Sequence, residues 1–313
     1  MSAGLDAVDS LLAARVDLDD PFVASASAHL LHGGKRFRPM LTLLTAELGS
    51  GPNEKVVAAG TGVELTHLAS LYHDDVMDEA DTRHGQPTVH VAYDNSTAIL
   101  AGDLLFGIAS DIIADLGAAA VKIQAQTFIR LCSGQIRDDR PCPPGVDPQE
   151  YYLRVLADKT GVLIATAARY GAMFGECSPE VVEIVAEYGE RLGVAFQLAD
   201  DLLDIGSDGE QSGKTPGTDL REGKATLPVL YVRASTDPAD ERLKELLASD
   251  LAGNDDGLAE ALALLRAHPA MHQALATTQA VGRSAVDALA PLPDSEVKAA
   301  LTALVEGVIH RVA

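Results

Sequence analysis

The sequence predicts an all-α protein, and three observations predict it. Apolar residues recur at intervals of three and four almost throughout, as in "VVAAGTGVELTHLASLYHDDVMDEA" (56–80) and "EVVEIVAEYGERLGVAFQLADDLLDI" (180–205), the spacing that lines one face of a helix. No segment alternates apolar and polar residues as a half-buried strand would. Apolar residues make up 47% of the chain but aromatics only 4%, with no Trp. An apolar fraction dominated by Ala and Leu favours close-packed helices over β-sandwiches. At 313 residues the chain can bury a sizeable core. The expectation is a single domain over 1–313, one large bundle of roughly ten or more helices, with residues 1–20 as an N-terminal helix or tail.

Breakers divide the helical patterns in order. Gly33-Gly34, Gly51-Pro52 and Gly85 to Pro87 come first, then "PCPPGVDP" at 141–148, "GSDGEQSGKTPGTD" at 206–219 and "APLPDSE" at 290–296. None is long enough for a domain linker. Ser178-Pro179-Glu180 reads as a helix start, with a capping side chain and Pro at the first helical position.

Lys and Arg number 24 against 46 Asp and Glu, a net charge of -22. That excludes a general nucleic-acid binder, which needs a basic footprint. An anionic ligand is accommodated only where metal ions or a local basic cluster reverse the sign. Cys132, Cys142 and Cys177 are scattered and lack metal-ligand spacing, which suits a reducing compartment and predicts a cytoplasmic protein. The N-terminus has neither a basic start nor a long apolar run, so no signal peptide is expected. No window approaches twenty uncharged apolar residues, so no membrane span is expected.

Against that background two acidic clusters stand out: Asp74, Asp75 and Asp78 in "LYHDDVMDEADTRHG" (71–85), and Asp200, Asp201 and Asp204 in "FQLADDLLDI" (196–205). Residues four apart share a helix face, so each outer pair repels by a few tenths of a kcal/mol or more unless a cation lies between them. Mg²⁺ suits such a pair, because it keeps several waters and is shared between one or two carboxylates and substrate phosphates. The neighbouring cations point the same way. Lys35, Arg36 and Arg38 sit together in "GGKRFRP" (33–39), Arg83 and His84 follow the first cluster, Lys159 and Thr160 open "KTG", and Lys214 and Lys224 follow the second cluster. Basic groups beside carboxylate-bound metal are what a diphosphate requires.

In order along the chain, "GGKRFRP", "ELTHLASLYHDDVMDEADTRHGQPT", "LAGDLLF", "KTG" and "FQLADDLLDIGSDGEQSGKTPGTDLREGKATLP" resemble the signature blocks of the trans-isoprenyl diphosphate synthases, the polyprenyl synthetase family. The likeness runs from about residue 20 to the end, and its local style is most similar to bacterial long-chain enzymes serving respiratory quinones. The resemblance implies the isoprenoid synthase bundle with a central cavity, and condensation of isopentenyl diphosphate onto an allylic prenyl diphosphate. It also implies three Mg²⁺ ions, with Mn²⁺ able to substitute. Asp74 and Asp78 would hold two metals and Asp200 the third, with Asp204 in the metal set and Asp75 and Asp201 supporting. Arg83, Lys159 and Lys214, with Lys224 nearby, would grip the allylic diphosphate. Lys35, Arg38 and His67 would hold isopentenyl diphosphate. Gln197 and Thr160 would turn oxygen dipoles toward the allylic cation, and Asp103 would be a supporting residue. His73 and Phe106 read as packing residues. A homodimer is implied, with at most peripheral membrane contact.

One position departs from the family pattern: His84 stands where a second arginine is usual. Histidine loses its charge near pH 6.5 where arginine keeps it, so isopentenyl diphosphate should bind more weakly at alkaline pH. Ala69 and Ser70, five and four residues before the first cluster, are small where short-chain enzymes carry bulk, which implies an open tunnel floor and a hexaprenyl to nonaprenyl product. A bulky residue elsewhere, with Phe128, Leu131 and Met173 as candidates, would instead stop growth at geranylgeranyl or geranylfarnesyl. A class I terpene cyclase is the nearest rival, weakened by the "GGKRFRP" cluster and the scarcity of aromatics. A non-catalytic partner subunit and a plain acidic scaffold are the others; intact acidic motifs oppose the first, and ordered basic motifs the second.

Overall fold

The computed structural model describes residues 1–31, 34–83, 85–206 and 216–312. These residues form sixteen α-helices: α1 Ser2–Val16, α2 Pro21–Ala28, α3 Phe37–Ala46, α4 Glu54–Met77, α5 Val89–Ala92, α6 Asn95–Ala114, α7 Ala118–Asp138, α8 Pro148–Leu156, α9 Val162–Phe174, α10 Pro179–Gly206, α11 Thr218–Arg221, α12 Leu227–Ala234, α13 Glu241–Ala248, α14 Asp255–Ala267, α15 Pro269–Ala288 and α16 Glu296–His310. A π turn, Ala157–Gly161, lies between α8 and α9, and a 3₁₀ turn, Pro238–Asp240, precedes α13. The only strands among the described residues are β1, Thr82–Arg83, and β2, Gln86–Pro87, paired antiparallel with Arg83 opposite Gln86. Two-residue strands leave no alternation for the sequence to display.

Helix starts follow local chemistry. Asp20 accepts from the amides of Phe22 and Val23 with Pro21 at the first helical position; Asn53 does the same for Lys55 and Val56. Asp147 caps α8 ahead of Pro148. These side chains satisfy amides that have no partner within the helix. The anticipated start at Ser178-Pro179 is where α10 begins.

The described chain divides into two compact units, 1–130 with 163–189 and 131–162 with 190–313. In the first unit α4 packs along α6 and α3, and α1 lies on α4. Its core gathers Leu12, Leu65, Leu68, Ala69, Tyr72, Leu105 and Ile112, and the buried Tyr72 hydroxyl donates to the α2 carbonyls of Ala26 and Ser27 at 3.0 and 2.9 Å. Gly102 of α6 admits a close approach to α4: a Cβ there would lie 2.4 Å from His73 Nε2. By length and composition α6 is the one described helix able to cross a membrane, and 44% of its most apolar stretch is buried inside the protein.

In the second unit α12 packs on α15, α15 on α16, and α13 on α14. One cluster joins Leu156, Leu198, Leu202 and Leu227; another joins Ile205, Val229, Leu246 and Leu265.

Candidate active site

The first acidic motif ends α4. Asp74 is half-buried and Asp78 exposed, and Asp78 closes the helix with its amide on the Asp74 carbonyl at 2.8 Å. A helix C-terminus carries partial negative charge, so carboxylates there call for a cation all the more. Asp75, between them, turns inward. It is 1% exposed, one carboxylate oxygen accepts from Arg83 Nε at 2.6 Å, and the other has no hydrogen-bond partner. Burial pushes this carboxyl above the usual range, and the Arg83 charge opposes that shift. The β1–β2 hairpin brings Arg83 back over the motif. His84 lies outside the described residues.

Other predicted residues of this unit are placed as follows. Lys35 is exposed, and Arg38 and His67 are half-buried. Ala69 is fully buried in the core, while Ser70 is half-buried with its hydroxyl on the His67 carbonyl at 2.7 Å. Of the two, Ser70 is the one whose side chain reaches accessible surface. His73 Nε2 lies 3.0 Å from the Ile99 carbonyl and 3.4 Å from the Asp103 carboxylate. Its ring centroid is 5.7 Å from that of Phe106, which is 4.4 Å from that of Phe128.

The second motif rides the last turns of α10. Asp200 pairs with Arg311 at 3.0 Å, whose guanidinium lies over the Phe196 ring. Asp201 is 6% exposed; it accepts from the Tyr152 hydroxyl and from Gln197 Nε2 at 3.0 Å. Burial, reinforced by the charges of Asp219, Asp204 and Asp138, pushes its carboxyl well above the usual range. Asp204 accepts from the backbone amides of Thr218 and Asp219, both at 3.1 Å, and so closes the first turn of α11.

The "KTG" stretch forms the π turn, an irregularity common at functional sites. Two crossed ion pairs fix it to the end of α7: Arg137 with Asp158 at 2.5 Å and Asp138 with Lys159 at 2.8 Å. The approach requires Gly134, where a Cβ would lie 2.7 Å from the Lys159 amide. Thr160 Oγ1 is 3.4 Å from Gln197 Oε1, and Lys224 pairs with Glu222 at 2.7 Å. A cavity of about 830 Å³ in this unit is lined by Lys159, Thr160, Gln197, Asp201, Asp219 and Lys224, among others. Lys214 lies outside the described residues.

Sequence reasoning missed Asp138, Tyr152, Arg311 and Glu64. The first three come from remote segments and carry no local signal. Glu64 did carry one: it is the lone acid in the run 56–73, and a charged residue in an apolar helix is buried only when paired.

The donor set fits a hard cation shared with substrate. Among the described residues no group of three or more His, Cys, Asp or Glu is placed to cage a metal. Paired carboxylates at Asp74/Asp78, and a half-buried Asp200, match an ion that takes one or two protein carboxylates and completes its shell with water and phosphate.

Fold, paired aspartates and lysine-bearing cavity define a polyprenyl synthetase: the polyprenyl synthetase family model matches residues 20–265, and the chain belongs to that family. It is a trans-prenyltransferase acting on isoprenyl diphosphates. Its relatives include a nonaprenyl diphosphate synthase of Mycobacterium tuberculosis, 44% identical over 99% of this chain and 92% of that one. Among solved structures, a geranylgeranyl pyrophosphate synthase from Corynebacterium glutamicum complexed with calcium and isoprenyl diphosphate is 40% identical (TM-score 0.89, covering 100% of this chain and 96% of that one). A decaprenyl diphosphate synthase from Rhodobacter capsulatus is 33% identical (TM-score 0.91, covering 100% and 97%).

Proposed function

We propose that the protein extends an allylic prenyl diphosphate with isopentenyl diphosphate, head to tail, to a long-chain product of hexaprenyl to nonaprenyl length, for quinone side chains. The observation that carries the reading is the cavity in which Lys159, Thr160, Gln197 and Lys224 stand beside the buried Asp201. It combines cations for a diphosphate with uncharged oxygens for a carbocation. Asp74, Asp78 and Asp200 hold Mg²⁺, with Asp204 contributing a remaining lone pair. Bound Mg²⁺ supplies charge to the diphosphate as it departs. Three ions and substitution by Mn²⁺ are parts of the same proposal.

Arg83, Lys159, Lys224 and Lys214 bind the allylic diphosphate and stabilise the charge that develops when its C–O bond breaks. Lys35, Arg38, His67 and His84 orient isopentenyl diphosphate so that its double bond meets the allylic carbon. Thr160 and Gln197 present oxygen dipoles to that carbon and offer no nucleophile that would trap it. The proton lost after C–C bond formation goes to the released diphosphate. A homodimer is part of the same proposal, and the first unit leaves Ile99, Leu100, Val121, Phe128 and Ile129 exposed. Three free cysteines agree with a cytoplasmic setting.

Small Ala69 and Ser70, and 44% identity to a nonaprenyl synthase, favour the long product. The aromatic row His73–Phe106–Phe128 favours a second reading, growth halted at geranylgeranyl or geranylfarnesyl. Labelled isopentenyl diphosphate, Mg²⁺ and geranyl, farnesyl or geranylgeranyl diphosphate, followed by sizing of the extracted chains, separates the two. A ladder beyond thirty carbons is expected; a stop at twenty or twenty-five selects the shorter reading. No incorporation with any starter defeats both.

A further inference from the structure

The segment Lys35–Arg38 places three cations in four residues, and the structure gives the middle one a task apart from the others. Arg36 adopts the left-handed conformation (φ 50°, ψ 37°) just before α3, a region that non-glycine residues enter only when held there. Its side chain is 14% exposed and turned inward. Nε donates to Asp9 of α1 at 2.7 Å, one terminal nitrogen to Glu64 of α4 at 3.2 Å, and the other to the Leu31 carbonyl. Lys35, its neighbour, is exposed. Arg38 has a buried Nε without a hydrogen-bond partner; burial lowers its pKa while the Glu64 charge opposes the loss of its proton. Glu64 is itself buried.

We propose that Arg36 is a positioning residue. Clamped by Glu64, Asp9 and the Leu31 carbonyl, it holds the left-handed turn that presents Lys35 and Arg38 to the isopentenyl diphosphate. This rests on the reading of Lys35 and Arg38 as the grip on that diphosphate. Arg36 itself spends its donors inside the protein, with the planar fork of an arginine spread over three acceptors on three segments. Lysine, a single compact charge, can replace only part of that clamp.

The test is steady-state kinetics with each substrate varied separately. Arg36→Gln is expected to raise KM for isopentenyl diphosphate about tenfold, with kcat and the allylic KM within about twofold. Arg36→Lys should recover part of the loss. Glu64→Gln should act in the same direction, and Arg36→Gln added to it should cost little more, because the two act through one contact. Asp9→Asn, at a half-exposed carboxylate, should raise the same KM two- to threefold, and it keeps the test alive should the buried substitutions fail to fold. An unchanged isopentenyl KM in Arg36→Gln overturns the proposal, as does an equal rise in both KM values or a fall in kcat alone. Unchanged KM in a well-folded Asp9→Asn does so if the others do not fold. Lys35→Ala and Arg38→Ala serve as controls: if neither raises the isopentenyl KM, the reading of the pocket fails rather than the clamp.

Discussion

The two aspartate clusters share one sequence pattern and differ in what their middle residue meets. Asp75 is buried against an arginine, 2.6 Å from Arg83 Nε. Asp201 is also buried, yet it accepts from a tyrosine hydroxyl and a side-chain amide, with three further carboxylates nearby. Burial and those charges push its carboxyl well above the usual range, opposed by the Lys224 charge, while the bonds donated by Tyr152 and Gln197 favour the ionised form. The first cluster thus seats its middle aspartate against a cation, and the second seats it against two neutral donors among like charges. Identical spacing, read on helices alone, conceals two electrostatic roles.

Removing an outer carboxylate should bring the largest effect and erase the difference. Asp74→Ala and Asp200→Ala are each expected to lower kcat by 10²–10³, on the scale of losing one electrostatic stabiliser. A far smaller loss in one of them, measured at saturating Mg²⁺, would mean that the clusters do not share the metal work. The middle pair sharpens the contrast. Asp75→Asn strips Arg83 of its counterion and should lower activity about tenfold or more, with a fall in Tm. Asp201→Asn, which keeps the side chain's shape and removes one carboxylate from among like charges, should stay within about threefold of the parent. Equal losses in the two variants would break the comparison.

The pH dependence of stability follows from the upward shift of the buried carboxyls, larger at Asp201. Where the folded state holds a proton more tightly than the unfolded chain, stability falls as pH rises above the ordinary carboxylate range. In chelator, Asp201→Asn should flatten that decline in a series of thermal melts; a slope identical to the parent's would remove Asp201 as its source. The smallest expected effect is at His84. His84→Arg should lower the isopentenyl KM two- to threefold at pH 8.5 and hardly at all at pH 6.5. The same KM in parent and variant across that range would take His84 out of the site.

Much of this was legible in the sequence, and the part that was not has a physical cause. Helices and their ends could be read because caps and periodicity are local: Ser178-Pro179 signals a start that the structure bears out. Helical spacing alone set Asp74 with Asp78 and Asp200 with Asp204. Which of three neighbouring aspartates turns inward depends on what packs there, and those partners are Arg83, Tyr152 and Arg311. Tyr152 reaches Asp201 across 49 positions of chain. Similarly, "KTG" gave the residue types but not the π turn, which depends on Gly134 and on the crossed pairs with Arg137 and Asp138.

Those crossed pairs bear on which anions the protein will accept. Arg83 is engaged by Asp75, Lys159 by Asp138 and Lys224 by Glu222, so an arriving anion enters by exchange rather than by capture. Inorganic phosphate arriving without a metal brings only negative charge and gains little by displacing a carboxylate already seated. A diphosphate arriving with divalent cations brings its own countercharge, which can also quiet the displaced acids. In a molecule of net charge -22, cations so engaged would, in the proposed roles, favour a diphosphate that arrives with its metal over an anion that arrives bare.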